Sequence, residues 1–556
     1  MTAYLAAIKA RVESVLGNEY VVTTELPHGQ TAWLAVPVFA RAKAEGRAVP
    51  EVATDVAAAL REALPDVDVT AAGGFVNITP HEVQSVLVPE SLEQVGDAGL
   101  GKTIVIDYSQ PNIAKRMSVG HLRSTIIGHT LRALYEALGY TVVGINYLGD
   151  WGTQYGKLVV AYERKYGDLV PRDTVTIQEL FDLYVGYHAD DDGSQDDAAR
   201  AMFKLLEDGD PAVTALWQFF VDLSLEEYQM IYDRLHVSFT EPKMGESAHR
   251  ATFDEVTGIV RSAGVSRESE GAEIVELPDL DAPMILRKSD GATTYATRDL
   301  AALKYRVETY SPEAVLYVVS NEQTLHFRQV FAVARMVGIA PESVALEHVK
   351  FGFVRLPEGK MSTRAGRVVF LEEVLDEAVR RARVIVDEKN PDLPETQRAE
   401  IAEVVGIGAV KFFDLSHDRK HDIVFDWDRM LSLSGDSAPY LQYTYTRAAQ
   451  ILGKITDVNQ IGTQRLADLP TDVQLLLRTL AKYPLVVEAA ARQYAPHTLA
   501  QYLLELAGQF SRFYENYPVL QSSETERPVR RAIVERVATT LRQGLGLLGI
   551  DVLETM

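Results

Sequence analysis

In KTIVIDYSQPN the apolar run Ile104–Ile106 shows no polar alternation, so both faces of the strand it forms have to be covered. A helical pattern over Leu122–Leu138 follows, and then the strand segment YTVVGINYLGDWG. Parallel strands joined by a covering helix bury such a run on both sides. The spacing therefore predicts one half of a doubly wound, Rossmann-type α/β domain. A second α/β half is predicted over roughly 251–350, with AVLYVVSNEQ as another buried strand. Between the halves, about 160–250 reads as a helical insertion. Its aspartate run HADDDGSQDD suits a solvated loop better than a metal site.

Residues 1–92 predict a small α/β unit: a helix at 2–16, strands near Ala32–Val38 and Phe75–Ile78, and a helix at 51–63. From about 405 onward helical periodicity takes over. In RPVRRAIVERVATTLRQGLGLLGI, Ile533, Val537, Leu541 and Leu545 recur every four residues. A chain of 556 residues needs more than one core, which fits this division. The net charge of −23 falls wholly within residues 1–430, leaving 431–556 neutral. This argues against blanket attraction to nucleic acid and permits a polyanion at the C-terminal end without requiring one. The absence of cysteine excludes disulfides, zinc–thiolate sites and a thiol nucleophile. Apolar runs such as Ala314–Val319 are too short to span a bilayer, and Lys9 and Arg11 interrupt any signal-peptide core, so we expect a cytoplasmic protein with no membrane contact.

Three stretches invite a phosphate. GDAGLGKT (Gly96–Thr103) has the letters of a phosphate-binding loop, but a polar helical stretch precedes it and the strand Ile104–Ile106 follows. That order is the reverse of what such a loop needs, and the stretch reads as a linker. MSVGHLRSTIIG lies between a strand and its helix, at the carboxyl end of the sheet where ligands bind. There Gly120 permits close approach of a base or ribose, His121 is placed to donate to a phosphate, and Ser124 and Thr125 add hydroxyls. Alone, His121 reads equally well as a polar residue at a helix start. PEGKMSTRAG (357–366), with Arg367 just after it, is a Gly-bounded loop whose cations suit charge building on a departing pyrophosphate, or else a plain basic surface.

Taken together, these stretches resemble the HIGH-type and KMSKS-type signatures of class I aminoacyl-tRNA synthetases. DYSQPNIAKRMSVGHLRSTIIG, NYLGDWGTQYG, TYATRDLAALKYR, NEQTLHFRQVF and APYLQYTYTRA narrow the resemblance to the arginyl-tRNA synthetase family, and it runs from GGFVNI to Met556. The fold it implies is α/β. A Rossmann-type catalytic domain at 93–404 carries the helical insertion and a mobile loop at 357–367. A small N-terminal domain at 1–92 meets the tRNA elbow, and an all-α anticodon-binding bundle fills 405–556. The implied activity is ATP-dependent formation of arginyl-adenylate and transfer of the arginyl group to the tRNA 3′ end. The implied partners are ATP, L-arginine and tRNA(Arg). Magnesium is expected with the ATP, although no dedicated ligand cluster is visible, and we expect a monomer.

By the same resemblance, Ser118, Gly120, His121, Lys360, Met361 and Ser362 are the ATP-binding positions. His121 and Lys360 serve catalysis, with Arg364 and Lys115 as the cations that make up for Thr363 where the pattern has a second lysine. A substrate guanidinium needs a carboxylate in a partly dry pocket. Asp299 is the candidate, four residues after Tyr295, and the two share a face only if the helix through Leu300–Arg306 starts early enough. Otherwise Asp299 is an N-cap and Tyr295 a packing aromatic. Gln323 resembles the amide partner of that pair, and Asp107 and Asn112 the positions that hold the α-amino and carboxylate groups. Phe75 and Asn77 would face the tRNA elbow. Tyr440, Gln442, Tyr443 and Arg447 would face splayed anticodon bases, with Tyr445 nearby and packing as the plain alternative for these tyrosines.

Ser118 stands where the signature has its first histidine. It can donate a hydrogen bond but cannot become a cation, so phosphate contacts are expected to be weakened or rerouted through Lys115 and Arg116. Two other readings compete with a charging enzyme: a non-catalytic relative that binds tRNA or arginine, and a nucleotidyl transferase acting on a small metabolite. The phosphate loop argues against the first and the large helical tail against the second.

Overall fold

The computed structural model describes residues 2–17, 19–24, 31–83, 87, 95–189, 196–355, 369–455 and 464–556. The N-terminal unit runs α1 (Thr2–Leu16), β1 (Leu34–Pro37), α2 (Phe39–Glu45), α3 (Val49–Ala63), β2 (Val67–Ala72) and β3 (Phe75–Pro80), with the antiparallel order β1-β3-β2. Proline near the start of α3 fits a position where no backbone donor is needed, and Val52, Val56 and Leu60 bury its inner face. Strand β2 was not among the sequence expectations. Its three exposed C-terminal residues, Thr70–Ala72, dilute the alternation that Val67 and Val69 begin.

The main sheet is parallel, in the order β10-β9-β4-β5, from β4 (Thr103–Asp107), β5 (Thr141–Ile145), β9 (Ala314–Tyr317) and β10 (Ala345–His348). Strand β4 is central, and its residues alternate between two cores. Ile104 and Ile106 pack with the helix α4 (Val119–Ala137), the N-terminal unit and the C-terminal helices. Val105 packs on the other side with Val143, Ile145, Val315 and the insertion. Thr103 opens β4 directly after the turn at Gly101, so Gly96–Thr103 is a linker, as its order implied.

The insertion comprises α5 (Thr153–Tyr166), α6 (Ile177–Ala189), α7 (Asp196–Glu207) and α8 (Pro211–Arg234), and the aspartate run between α6 and α7 lies largely outside the described residues. A short helix (Glu246–Thr252) and α9 (Phe253–Ser262) lead to a small antiparallel sheet of β6 (Ser266–Ser269), β7 (Ala272–Val275) and β8 (Met284–Arg287). Then α10 (Tyr295–Tyr310) and α11 (Thr324–Met336) flank β9. Past the main sheet, β11 (Val354–Arg355) pairs in parallel with β12 (Ile423–Val424), and α12 (Leu371–Lys389) packs on α13 (Glu395–Leu415). The boundary expected at 404/405 falls inside α13. After the one-turn α14 (Trp427–Met430), the bundle is built from α15 (Ala438–Gly453), α16 (Thr471–Arg492), α17 (Pro496–Asn516) and α18 (Arg527–Leu547).

Buried charges join these parts. Arg123 on α4 pairs with Asp414 on α13 at 3.0 Å, both nearly inaccessible. It also donates to the carbonyls of Gly352 and His421, each at 2.8 Å. Arg419 donates to Tyr494 O at the α16–α17 turn (2.7 Å) and to Lys350 O (2.5 Å). Lys411 is 2% exposed and donates to Leu235 O at the end of α8 (2.5 Å) and to Gly549 O beyond α18. Among the described residues no helix is long and apolar enough to cross a membrane.

Candidate active site

The connection from β4 to α4 crosses the carboxyl edge of the sheet beside the point where strand order reverses. Ser109, Gln110 and Ala114 all have positive φ here, a strained backbone for residues other than glycine. Buried hydroxyls hold it. Ser109 N donates to Ser124 Oγ (2.9 Å), Ser109 Oγ meets Thr125 Oγ1 and Tyr232 Oη (2.8 Å each), and Ala114 N donates to Ser224 Oγ (2.8 Å). Ser124 and Thr125, expected to offer hydroxyls to a ligand, are buried and brace this loop instead.

Ser118 is the N-cap of α4, and the helix starts three residues earlier than expected because of it. Its backbone N–H donates to His121 Nδ1 at 3.0 Å, and its Oγ lies 3.1 Å from the same nitrogen. An N–H can only donate, so Nδ1 accepts and the proton of the neutral ring sits on Nε2. Burial, with help from Lys115, holds the His121 imidazole below its ordinary pKa, keeping it neutral with one donor. Gly120 is exposed, and a side chain there would meet only Ser118 Oγ. Lys115 lies 4.2 Å above the Tyr184 ring of the insertion. Arg116 is occupied by Glu372 (2.7 Å) and the Phe370 face (4.0 Å). It is therefore not a free replacement for a lost histidine. Lys360, Met361, Ser362 and Arg364 lie outside the described residues. The chain that follows them is tied to the signature turn: Val119 N donates to Val369 O (3.0 Å) and Leu371 N to Met117 O (2.9 Å).

Four acids gather beside this edge. Asp107, at the end of β4, is fully buried and pairs with Arg306 at 2.6 Å, while Gln110 donates to its other oxygen at 2.5 Å. The Arg306 guanidinium lies over the rings of Tyr147 (4.9 Å) and Tyr317 (5.1 Å). Asp107 thus faces a resident cation rather than the open cleft expected of a substrate contact. Glu246 pairs with Arg298 at 2.6 Å, and burial still pushes its carboxyl up to about 7. Asp150 accepts from Ser247 N (2.9 Å) and Oγ (2.6 Å). Asp299 is the fourth. It lies within α10, not at its N-cap, which is Thr294, so the helix does start early enough to put Tyr295 and Asp299 on one face. Its partner is His326, Nε2 to Oδ2 at 2.5 Å. Of the four acids, Asp299 alone is half-buried with no arginine or serine among the described residues bonded to it. Tyr295 is 62% exposed, with Arg298 behind its ring at 5.1 Å. Gln323 is exposed at the N-cap of α11. Asn112 is exposed too, its amide laid over Gly149, where an added Cβ would sit 2.1 Å from Oδ1. Sequence reasoning missed Arg306, Arg298, Glu246 and His326. HFRQ, three residues past Gln323, was visible within the motif NEQTLHFRQVF, and both arginines stand within TYATRDLAALKYR, but nothing in the sequence marked which acid each would meet.

The tRNA-facing candidates separate. Phe75 is exposed and packs edge-on against Phe39 at 5.3 Å, and Asn77 is half-buried on β3. Arg447 donates to Tyr443 Oη (3.1 Å) and lies over the Tyr443 and Tyr514 rings (4.8 and 5.4 Å), an exposed aromatic and cationic surface. Tyr440 is half-buried against Ser511. Gln442 does not face outward: it is 1% exposed, and its amide donates to Asp551 O (2.9 Å) and Val404 O (3.3 Å). Its place in α15 points it into the bundle, beside Tyr445, which also packs.

A family model described as the class I tRNA synthetase catalytic domain for arginine (R) matches residues 82–427, and a DALR anticodon-binding domain matches 441–556. A parallel sheet with a Gly-His turn at its carboxyl edge and a helical bundle after it define a class I aminoacyl-tRNA synthetase. The arginine–tRNA ligase of Chloroflexus aggregans is 44% identical over 503 residues, covering 88% of this chain and 87% of that one. Arginine–tRNA ligase 2 of Bacillus anthracis is 41% identical over 532 residues, covering 94% and 93%. This chain belongs to the arginyl-tRNA synthetase family. The solved arginyl-tRNA synthetase of Thermus thermophilus shares the fold end to end, with a TM-score of 0.81 at 24% identity and complete coverage of both chains.

Proposed function

We propose that the chain activates L-arginine with ATP and transfers it to tRNA(Arg), and that the cleft residues divide the work as follows. The arginine carboxylate attacks the α-phosphorus, the bond to the bridging oxygen breaks, and pyrophosphate leaves. A ribose hydroxyl of the tRNA 3′ end then attacks the adenylate carbonyl and AMP departs. No protein nucleophile is needed, so catalysis rests on placement and charge. The His121 Nε2–H donates to ATP phosphate oxygens, and Ser118 sets that ring rather than contacting phosphate itself. The exposed Cα of Gly120 lets the nucleotide lie close. Lys360, with Met361, Ser362 and Arg364, meets the pyrophosphate, and Lys115 supplies a second cation beside the turn. Magnesium enters on the ATP phosphates.

Asp299 takes the guanidinium, flanked by Tyr295 and Gln323, and Asn112 meets the α-amino and carboxylate end. Asp107 supports that end indirectly, through Gln110 and Arg306. Phe75 and Asn77 touch the tRNA elbow, and Tyr443, Arg447 and Tyr440 the anticodon loop. These assignments place the N-terminal unit at 1–92, the catalytic domain from 93 to the end of α13, and the anticodon-binding bundle beyond it. We further place the enzyme in the cytoplasm as a monomer. The observation that carries the reading is the pairing of the acids: Asp107 and Glu246 are neutralised by resident arginines and Asp150 is held by Ser247, so a substrate cation finds Asp299. Charging of tRNA with radiolabelled arginine tests it. Asp299→Asn is expected to raise the arginine KM by about 100-fold or more with the ATP KM unchanged. Unaltered arginine kinetics in that variant would remove the assignment.

A further inference from the structure

Asp299 already holds a partner before any substrate arrives. His326 lies in the first turn of α11, and its Nε2 is 2.5 Å from Asp299 Oδ2. A carboxylate only accepts, so the proton of this bond sits on Nε2. The imidazole is braced in turn by the Phe327 ring, edge-on at 5.1 Å. His326 also follows Gln323 by three residues, so the start of one helix carries both side chains. The terminal torsion of an aspartate is broad, and a carboxylate with both oxygens free samples many orientations. With Oδ2 held, the rotation is stopped and Oδ1 has a fixed direction.

We propose that His326 is a positioning residue for arginine recognition. Its Nε2–H anchors Oδ2 of Asp299 so that Oδ1 meets the substrate guanidinium. The same bond sets α10, with Tyr295 and Asp299, against the start of α11, with Gln323. This rests on the assignment of Asp299 to the guanidinium. It also states how the acid is aimed: the substrate approaches a carboxylate with one oxygen already taken, and a cation placed for the vacant oxygen gains the contact.

Steady-state kinetics of the full-length His326→Leu and His326→Gln enzymes test this, with arginine, ATP and tRNA each varied. Leucine removes the donor, whereas the glutamine amide nitrogen reaches the place of Nε2. The expected result for His326→Leu is an arginine KM raised about tenfold or more, as for loss of a hydrogen bond to a charged group, with kcat within about threefold and the other two KM values unchanged. His326→Gln returns the arginine KM to within about threefold of the parent. An unchanged arginine KM in the leucine variant, equal damage in both variants, or a parallel loss for all three substrates overturns the proposal. If the leucine variant does not fold, His326→Asn, too short to reach Asp299, takes its place with the same outcomes. Asp299→Asn separates the two assignments. A normal arginine KM there removes the Asp299 assignment, whereas a raised value beside a normal one in His326→Leu removes only the role of His326.

Discussion

Ser118 and His121 show how one substitution in a signature can be absorbed by its neighbour. The group that fixes the imidazole is the backbone N–H of Ser118, which any residue but proline supplies, and the hydroxyl adds an N-cap beside it. Ser118→Ala is therefore expected to lower stability by about 1 kcal/mol, the ordinary worth of such a cap, and to leave kcat for pyrophosphate exchange within about threefold. His121→Ala should lower that kcat by about 100-fold through loss of a donor to developing charge. Equal losses in the two variants would mean that the serine hydroxyl itself meets ATP. His249 gives a second residue-level prediction. Burial, then Arg306, holds its pKa down to about 4. Above its ordinary pKa near 6.5 the ring is neutral folded and unfolded. Below it the unfolded chain takes up the proton first, so stability falls with pH down to about 4, at up to about 1.4 kcal/mol per unit. Glu246, its carboxyl pushed up to about 7, acts in the opposite sense over the same range, so the test is the difference: in denaturant titrations between pH 7 and 4 the parent should lose stability relative to His249→Asn with that slope.

At the scale of elements, close approach is paid for with missing side chains. An added Cβ at Gly156 on α5 would sit 2.0 Å from Ala199 O on α7, and backbone cannot yield as a side-chain tip does. Gly156→Ala should force the two helices apart and cost about 1–3 kcal/mol, read from the denaturation midpoint. A midpoint at or above the parent value would show that the helix pair tolerates separation. Much of this scale was legible in the sequence because strand and helix periods are local. The unbroken apolar run of β4, the helix at 2–16 and the four-residue spacing along α18 all announced themselves. The start of α10 was legible only conditionally, since TYATRD fits a helix or a cap equally. What stayed hidden depended on distance along the chain. Arg123 and Asp414 are 291 residues apart, and nothing near either one marks it as half of a buried pair. The inward turn of Gln442 was hidden for the same reason: its acceptor Asp551 O arrives 109 residues later. Of the site itself, the motifs carried Asp299, Tyr295 and Gln323; Arg298 and Arg306 stand in the same stretch as Asp299, but their partners Glu246 and Asp107 lie far back along the chain, so which acids stay free was hidden.

For the whole molecule, one core runs from the N-terminal unit through the α4 side of the sheet into the bundle, and buried cations stitch its parts together. Lys411 is the clearest case. Among the described residues it has no acidic side chain in bonding contact, burial pulls its pKa down to about 7, and two carbonyls from separate parts of the chain are its acceptors. Lys411→Met would leave the buried Leu235 O and the half-buried Gly549 O without this donor, a loss of about 1–3 kcal/mol. Amide exchange over 549–556 should quicken relative to the rest of the bundle. Unchanged protection there would show that the contact does not secure this segment. The arrangement also bears on how the chain is made. One acceptor, Leu235 O, precedes the lysine by 176 residues, whereas Gly549 O follows it by 138, so on the ribosome the pair of bonds around the ammonium group is complete only after residue 549 has emerged. The order of synthesis thus postpones the second of these bonds, and the junction of α8, α13 and the segment beyond α18 closes only once α18 has been made.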